Sequence, residues 1–236
     1  MSTIEFLEHP DYESLSEAAS EHLLALVQSR PDAVICVATG ATPLLTYHRF
    51  VEKVKADRID ISSVTFVKLD EWVGLVPDNP ATCEVFLQQH LLKPLGVAPE
   101  RYISFISDKA DQQECNRVIR EIKARGGLDL CVLGIGKNGH LGLNEPDEWL
   151  EPGCHITSLD ERTQLHDMLR VAGTPVEQGI TLGLQDIMAA KEVLLLVAGE
   201  GKQHAFAAMR EGKVSTRIPA SFLWLHPNTS CLYCTT

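Results

Sequence analysis

A chain of 236 residues, 44% hydrophobic and 22% charged, has a globular composition and the length of one large domain or two small ones, which argues against wholesale disorder. With 21 basic against 32 acidic residues the net charge is −11, which speaks against a general nucleic-acid binder or a protein of anionic membranes, since both need a basic face. A local anion site stays open, because a few cations and free backbone amides override the global field.

Seven cysteines are scattered along the chain. Cys36 and Cys131 sit in apolar runs, where a free thiol acts as a small hydrophobe. Cys231 and Cys234 have the spacing of a redox motif but do not open a helix, so no redox role is expected. The amino-terminal MSTIEFLEHPDYESL is acidic and lacks an apolar signal core, and no apolar run approaches the roughly 18 residues of a membrane span. A cytoplasmic protein is expected.

In chain order, amphipathic spacing predicts a helix over 14–29, then a buried strand over 33–38 and a helix over 43–56. A strand over 64–69 precedes helices over 82–93 and 110–125. Strands over 128–135 and 192–198 follow, then a helix over 202–211 and a strand over 221–226. The strands are Val-, Ile- and Leu-rich without polar alternation, as in a parallel sheet buried on both faces. No linker divides the chain. The expectation is a single α/β domain spanning 1–236, with one doubly wound, mainly parallel sheet and helices on both faces. Ligands of such sheets bind beyond the carboxyl ends of the strands, so the chemistry is sought where strands stop.

The first strand stops in Thr39-Gly40-Ala41-Thr42-Pro43. Small residues, two hydroxyls and a proline suited to a helix start leave free amides at the positive end of a helix dipole, which suits a phosphate. A plain strand–helix turn with Thr42 as cap fits that segment equally well. The second strand ends in Asp70-Glu71-Trp72, where a carboxylate shielded by the indole could serve as a general base. After 128–135 comes Gly136-Lys137-Asn138-Gly139-His140-Leu141-Gly142-Leu143-Asn144-Glu145-Pro146. A neutral imidazole there can accept a hydroxyl proton, and a carboxylate can orient it. No second His or Cys stands at zinc spacing, so no metal is expected. Gly199-Glu200-Gly201-Lys202 opens a helix with a lysine placed to meet a phosphate.

Taken together, from about residue 30 to 228, these stretches resemble the glucosamine/galactosamine-6-phosphate isomerase (deaminase) family. The carriers are the Thr-Gly-x-Thr-Pro turn, LDEWVGL, GIGKNGHLGLNEP and the Gly-x-x-Lys helix start. Asn144-Glu145-Pro146 favours this branch over the related 6-phosphogluconolactonases, and the general wording is nearest the galactosamine-6-phosphate type. The resemblance implies a hexosamine 6-phosphate as substrate, a ketohexose 6-phosphate and ammonia as products, and no cofactor. It implies Asp70 as the base moving a proton between C2 and C1, and His140 as the ring-opening base, assisted by Glu145 and Asn138. Thr39, Gly40, Thr42 and Lys202 match substrate or phosphate contacts. The family's lid arginine falls on Leu169, so either Arg170, one residue later, serves in its place or the phosphate grip rests on Lys202 and the backbone amides. His155 and Thr157 stand where some members carry allosteric basic residues, which speaks against that control. A lid is expected at about 154–179, a segment with few apolar runs and with Gly173-Thr174-Pro175 and Gly179, weakly packed and able to move. Two other classes remain: a lactonase-type hydrolase, and a sugar-phosphate-binding module without turnover.

Overall fold

A computed structural model describes residues 4–234; Met1–Thr3 and Thr235–Thr236, within the expected span 1–236, lie outside the described residues. Among the described residues ten strands form two sheets: β1 Glu5–Glu8, β2 Val34–Val37, β3 Thr65–Lys68, β4 Asp70–Trp72, β5 Tyr102–Ile103, β6 Leu130–Gly134, β7 His155–Ser158, β8 Gln178–Thr181, β9 Glu192–Val197 and β10 Thr229–Tyr233. The larger sheet is parallel throughout, in the order β1-β10-β9-β6-β2-β3-β5. The smaller is antiparallel, in the order β4-β8-β7. The helices are α1 Tyr12–Ser29, α2 Ala41–Ala56, α3 Cys83–Leu87, α4 Lys93–Leu95, α5 Gln112–Ala124, α6 Glu161–Gln164, α7 Leu184–Met188 and α8 Gln203–Arg210.

Alternation along each central strand builds two cores. Ile35, Leu130 and Leu194 point to the face covered by α1 and α2, where they meet Leu15, Leu23, Tyr47 and Phe50. Cys36, Cys131 and Leu195 point to the other face, against Val118 of α5, Ile187 of α7 and Met209 of α8. Both faces being buried explains why the strands read as continuous apolar runs. All seven cysteines are buried, and none is in a disulfide among the described residues.

The central pair β2 and β6 is where the strand order reverses: the chain leaves β2 outward through β3 and β5, then returns to β6 on β2's other side. A crevice forms at such a switch point, beyond the carboxyl ends of the two strands. The turns Ala38–Thr42 and Gly136–His140 leave the sheet there. β4 continues from β3 through Leu69 but quits the parallel sheet, pairing Asp70 with Thr181 of β8.

One predicted strand is corrected. Residues 221–225 lie in a 3₁₀ helix, Pro219–Leu225, with His226 extended just after it; the helix is opened by a proline and tied down by the Trp224 indole N–H donating to the Met209 carbonyl at 2.7 Å. The strand nearby is β10. The edge strands β1 and β5 also went unread, being four and two residues long. The segment 154–179 carries more structure than a loose lid: β7 and β8 anchor its ends, and Leu159, Ala172 and Val176 are buried against Trp72, Leu75 and Leu143. Between the anchors Leu165, Arg170 and Val171 are exposed. Among the described residues no helix is long and apolar enough to cross a membrane.

Candidate active site

A cavity of about 490 Å³ opens over the β2/β6 crevice and is walled on its outer side by residues 162–170. Asp70, Asn138, His140, Thr39–Thr42, Arg170 and Lys202 all line it; Glu145 lies just behind. The sequence-predicted groups, drawn from five separated stretches, are thus brought together.

At one end lies the anion-binding wall. Gly40 has φ +103°, a conformation costly for residues with a side chain, and so turns the chain directly into the 16-residue α2. Tyr12 braces this turn by donating its hydroxyl to the Ala41 carbonyl at 2.7 Å and accepting from the Leu45 amide at 3.1 Å. The Lys202 ammonium donates to the Thr42 hydroxyl. Burial, helped by the charge of Lys137, pulls Lys202 down to about 8. Lys137 lies along Gly201, where a β-carbon would come within 3.3 Å of the lysine stem. Two ammonium groups, a hydroxyl and free amides facing one cavity form an environment for a dianion.

The two adjacent carboxylates have different fates. Glu71 is fully buried and fully bonded: it accepts from the amides of Trp72, Cys83 and Glu84 at 2.9 Å each and pairs with Lys68 at 2.7 Å. Lys68, itself buried, also reaches Glu84 at 3.0 Å. Although burial pulls the Lys68 ammonium down, the two carboxylates hold it above its ordinary value. Glu71→Gln leaves that ammonium with one partner fewer; breaking a buried pair from one side should cost about 3–5 kcal/mol, read as a fall in thermal stability. Asp70 faces the cavity. Burial, and next the Glu71 charge, push its carboxyl up to about 7; His140 and a hydrogen bond from the Cys83 thiol at 3.7 Å only partly offset this. A carboxylate near 7 is matched to removing a proton at neutral pH.

On the opposite wall His140 is held by a polar cluster. Its Nδ1 lies 3.2 Å from Glu145 Oε2, and the same oxygen accepts from Asn138 Nδ2 at 2.8 Å. The Asn138 carbonyl oxygen accepts from the His140 amide at 3.2 Å, so Asn138 fixes both partners. Burial pushes Glu145 up, but hydrogen bonds from His140, Thr163 and Asn138 and the charge of His140 hold it below its ordinary value. An ionised Glu145 keeps the imidazole proton on Nδ1 and frees Nε2 as acceptor. The ring lies flat against Gly136: a β-carbon there would sit 2.3 Å from Nε2. Gly136→Ala must therefore push the ring off its station, and turnover should fall roughly 10–100-fold, as steady-state kinetics would show, because misplacement of about 1 Å costs on this order.

Three residues on this wall were missed by sequence reasoning. Thr163 is buried, with Oγ1 3.4 Å from His140 Nδ1. His166 packs its ring 5.8 Å from Trp72, and burial holds its imidazole below the ordinary value. Arg162 lines the same cavity. All lie in the irregular segment around α6, where no periodicity marks which side chains turn inward. Arg170 is itself largely exposed and paired with Asp167 at 2.9 Å.

Residues 11–233 match the model of a family described as glucosamine-6-phosphate isomerases/6-phosphogluconolactonase. The chain is 62% identical over 222 residues to an Escherichia coli (strain K12) protein named "Putative deaminase AgaI", covering 94% of this chain and 88% of that protein. It is 35% identical over 226 residues to glucosamine-6-phosphate deaminase of Thermoanaerobacter pseudethanolicus, covering 94% and 89%. Among solved structures, a monomeric glucosamine-6-phosphate deaminase of the NagB superfamily superposes with a TM-score of 0.93 at 30% identity, covering 98% of each chain.

Proposed function

The chain belongs to the glucosamine-6-phosphate isomerase/6-phosphogluconolactonase family, and on that footing we propose that it is an amino-sugar-6-phosphate deaminase working through the cavity at the β2/β6 switch point. The observation that carries the reading is the pairing of a buried carboxylate held near 7, Asp70, with an imidazole–carboxylate couple, His140 and Glu145, beside a cationic end. A lactonase needs no base of that strength at Asp70, and the relatives cited above are named deaminases.

The phosphate sits at the Thr39–Thr42 turn and Lys202, which fixes the sugar by its far end. His140, through Nε2, takes the anomeric hydroxyl proton as the ring opens and the ring oxygen is protonated. Asp70 removes the C2 proton, acidified by the adjacent C1 aldehyde, and gives an enolamine. Reprotonation at C1 leaves an imine at C2, and water adds to it to release ammonia and a ketohexose 6-phosphate. Asn138 cannot take a proton; it orients His140 and Glu145. The sugar class fits a cytoplasmic enzyme of amino-sugar breakdown, and galactosamine 6-phosphate is the first substrate to offer, glucosamine 6-phosphate the second. Ammonia release from each hexosamine 6-phosphate, run beside acid release from 6-phosphogluconolactone, tests the reading. Acid release without ammonia would move the chain to the hydrolase class, and silence with all of them would leave a binding module.

The segment 154–179 acts here as a lid. The Arg170–Asp167 pair is solvent-exposed and so worth little, which leaves Arg170 free to turn onto a bound phosphate. Arg170→Ala should raise KM for the phosphorylated sugar by a factor worth about 1.5–3 kcal/mol, and Lys202→Ala by at least as much. An unchanged KM in Arg170→Ala would leave the grip to Lys202 and the amides.

A further inference from the structure

Glu145 leans on a single oxygen. Its Oε1 is buried without a hydrogen-bond partner among the described residues, so the carboxylate is satisfied only through Oε2. Asn138 and His140, which reach it there, both come from the loop after β6, on the rigid side of the cavity. Thr163 comes from elsewhere. It is the third residue of α6, in the 154–179 segment, yet it is only 4% exposed and its hydroxyl oxygen lies 3.4 Å from His140 Nδ1. Thr163 is also one of the groups that hold the Glu145 carboxyl below its ordinary value. A buried carboxylate short of donors is costly, so a donor that arrives with a separate segment sets the couple's geometry according to where that segment lies.

We propose that Thr163 is a positioning residue: its hydroxyl locks the His140–Glu145 couple in register from the lid side, making ring opening depend on the position of residues 160–166. The proposal rests on the deaminase reading for its kinetic arm. Phosphate binding and the Asp70 step lie outside its reach.

Thr163→Val keeps the shape and removes the hydroxyl; Thr163→Ser restores the hydroxyl. With the cyclic hexosamine 6-phosphate, kcat should fall at least 10-fold in Thr163→Val while KM stays within about threefold. Thr163→Ser should recover most of the loss. With a 4,5-dideoxy hexosamine 6-phosphate, which cannot close a ring, C2 proton exchange with solvent should stay within twofold of the unmodified protein. By NMR, exchange of the His140 Nδ1 proton with water should speed up at least 10-fold in Thr163→Val alone. Equal losses in turnover and in C2 exchange would mark a merely structural residue and overturn the proposal, as would unchanged kcat. If the unmodified protein releases no ammonia from any hexosamine phosphate, the deaminase reading fails on its own, and the Nδ1 exchange rate then decides the role of Thr163.

Discussion

Asp70→Asn is expected to lower kcat by roughly 10²–10⁴-fold while substrate binding stays within a few-fold. The amide nearly matches the carboxylate in shape, so the cavity and the Cys83 contact survive, but it cannot take a carbon-bound proton. The same assignment fixes a pH dependence. Asp70 must be ionised to act, and its carboxyl sits near 7, so kcat/KM should fall as pH drops below about 7. On the alkaline side Lys202, near 8 in the free protein, loses its charge as pH rises, and binding of the phosphorylated sugar should weaken there. The outcome is a narrow bell. Ammonia release close to normal in Asp70→Asn, or an acid limb down in the ordinary carboxylate range, would remove Asp70 from the role.

His140→Gln should be about as damaging to the natural substrate, a loss of roughly 10²–10⁴-fold, but selectively. Glutamine can hydrogen-bond but cannot accept the anomeric proton, so ring opening becomes limiting. A substrate that is open from the start bypasses that step, and its C2 proton should still exchange through Asp70. Loss of exchange as complete as loss of turnover would mean that the two walls of the cavity do not divide the work this way.

What the sequence disclosed follows from where local pattern carries information. Runs such as AVICVA and LDLCVLGI announce strands buried on both faces, and each stops at a turn of small residues that a sheet of this kind uses for ligands. Gly136, Asn138, His140 and Glu145 stand within ten residues of one another, so their convergence could be read without tertiary information. The adjacent pair at 70 and 71 could not be resolved: only the fold shows that Glu71 turns in to three amides and Lys68 while Asp70 meets the cavity. Thr163 and His166 were silent for a similar reason. α6 is four residues long, too short for a periodic signal. β1, largely exposed and polar at its ends, and the two-residue β5 gave no run to see. In 221–226 the apolar density marks only partial burial, with Leu223 inside and Leu225 exposed, and no strand, because an apolar run alone does not separate an extended segment from a tight helix.

The departure of β4 from the parallel sheet has a consequence for building chimeras of this scaffold. Asp70 and Thr181 are ladder partners, and Thr181 in turn faces His155. The strand carrying the carboxylate is therefore the first rung of the ladder whose other strands bracket residues 159–177. A graft that exchanges only the outer turn between relatives, cut at Leu159 and Glu177, leaves every rung native. A graft cut further in, at Cys154 or Leu182, imports a foreign partner for Asp70, and its side chain can be displaced with no substitution anywhere in the cavity. Exchangeable specificity in this scaffold thus ends where β7 and β8 begin to pair.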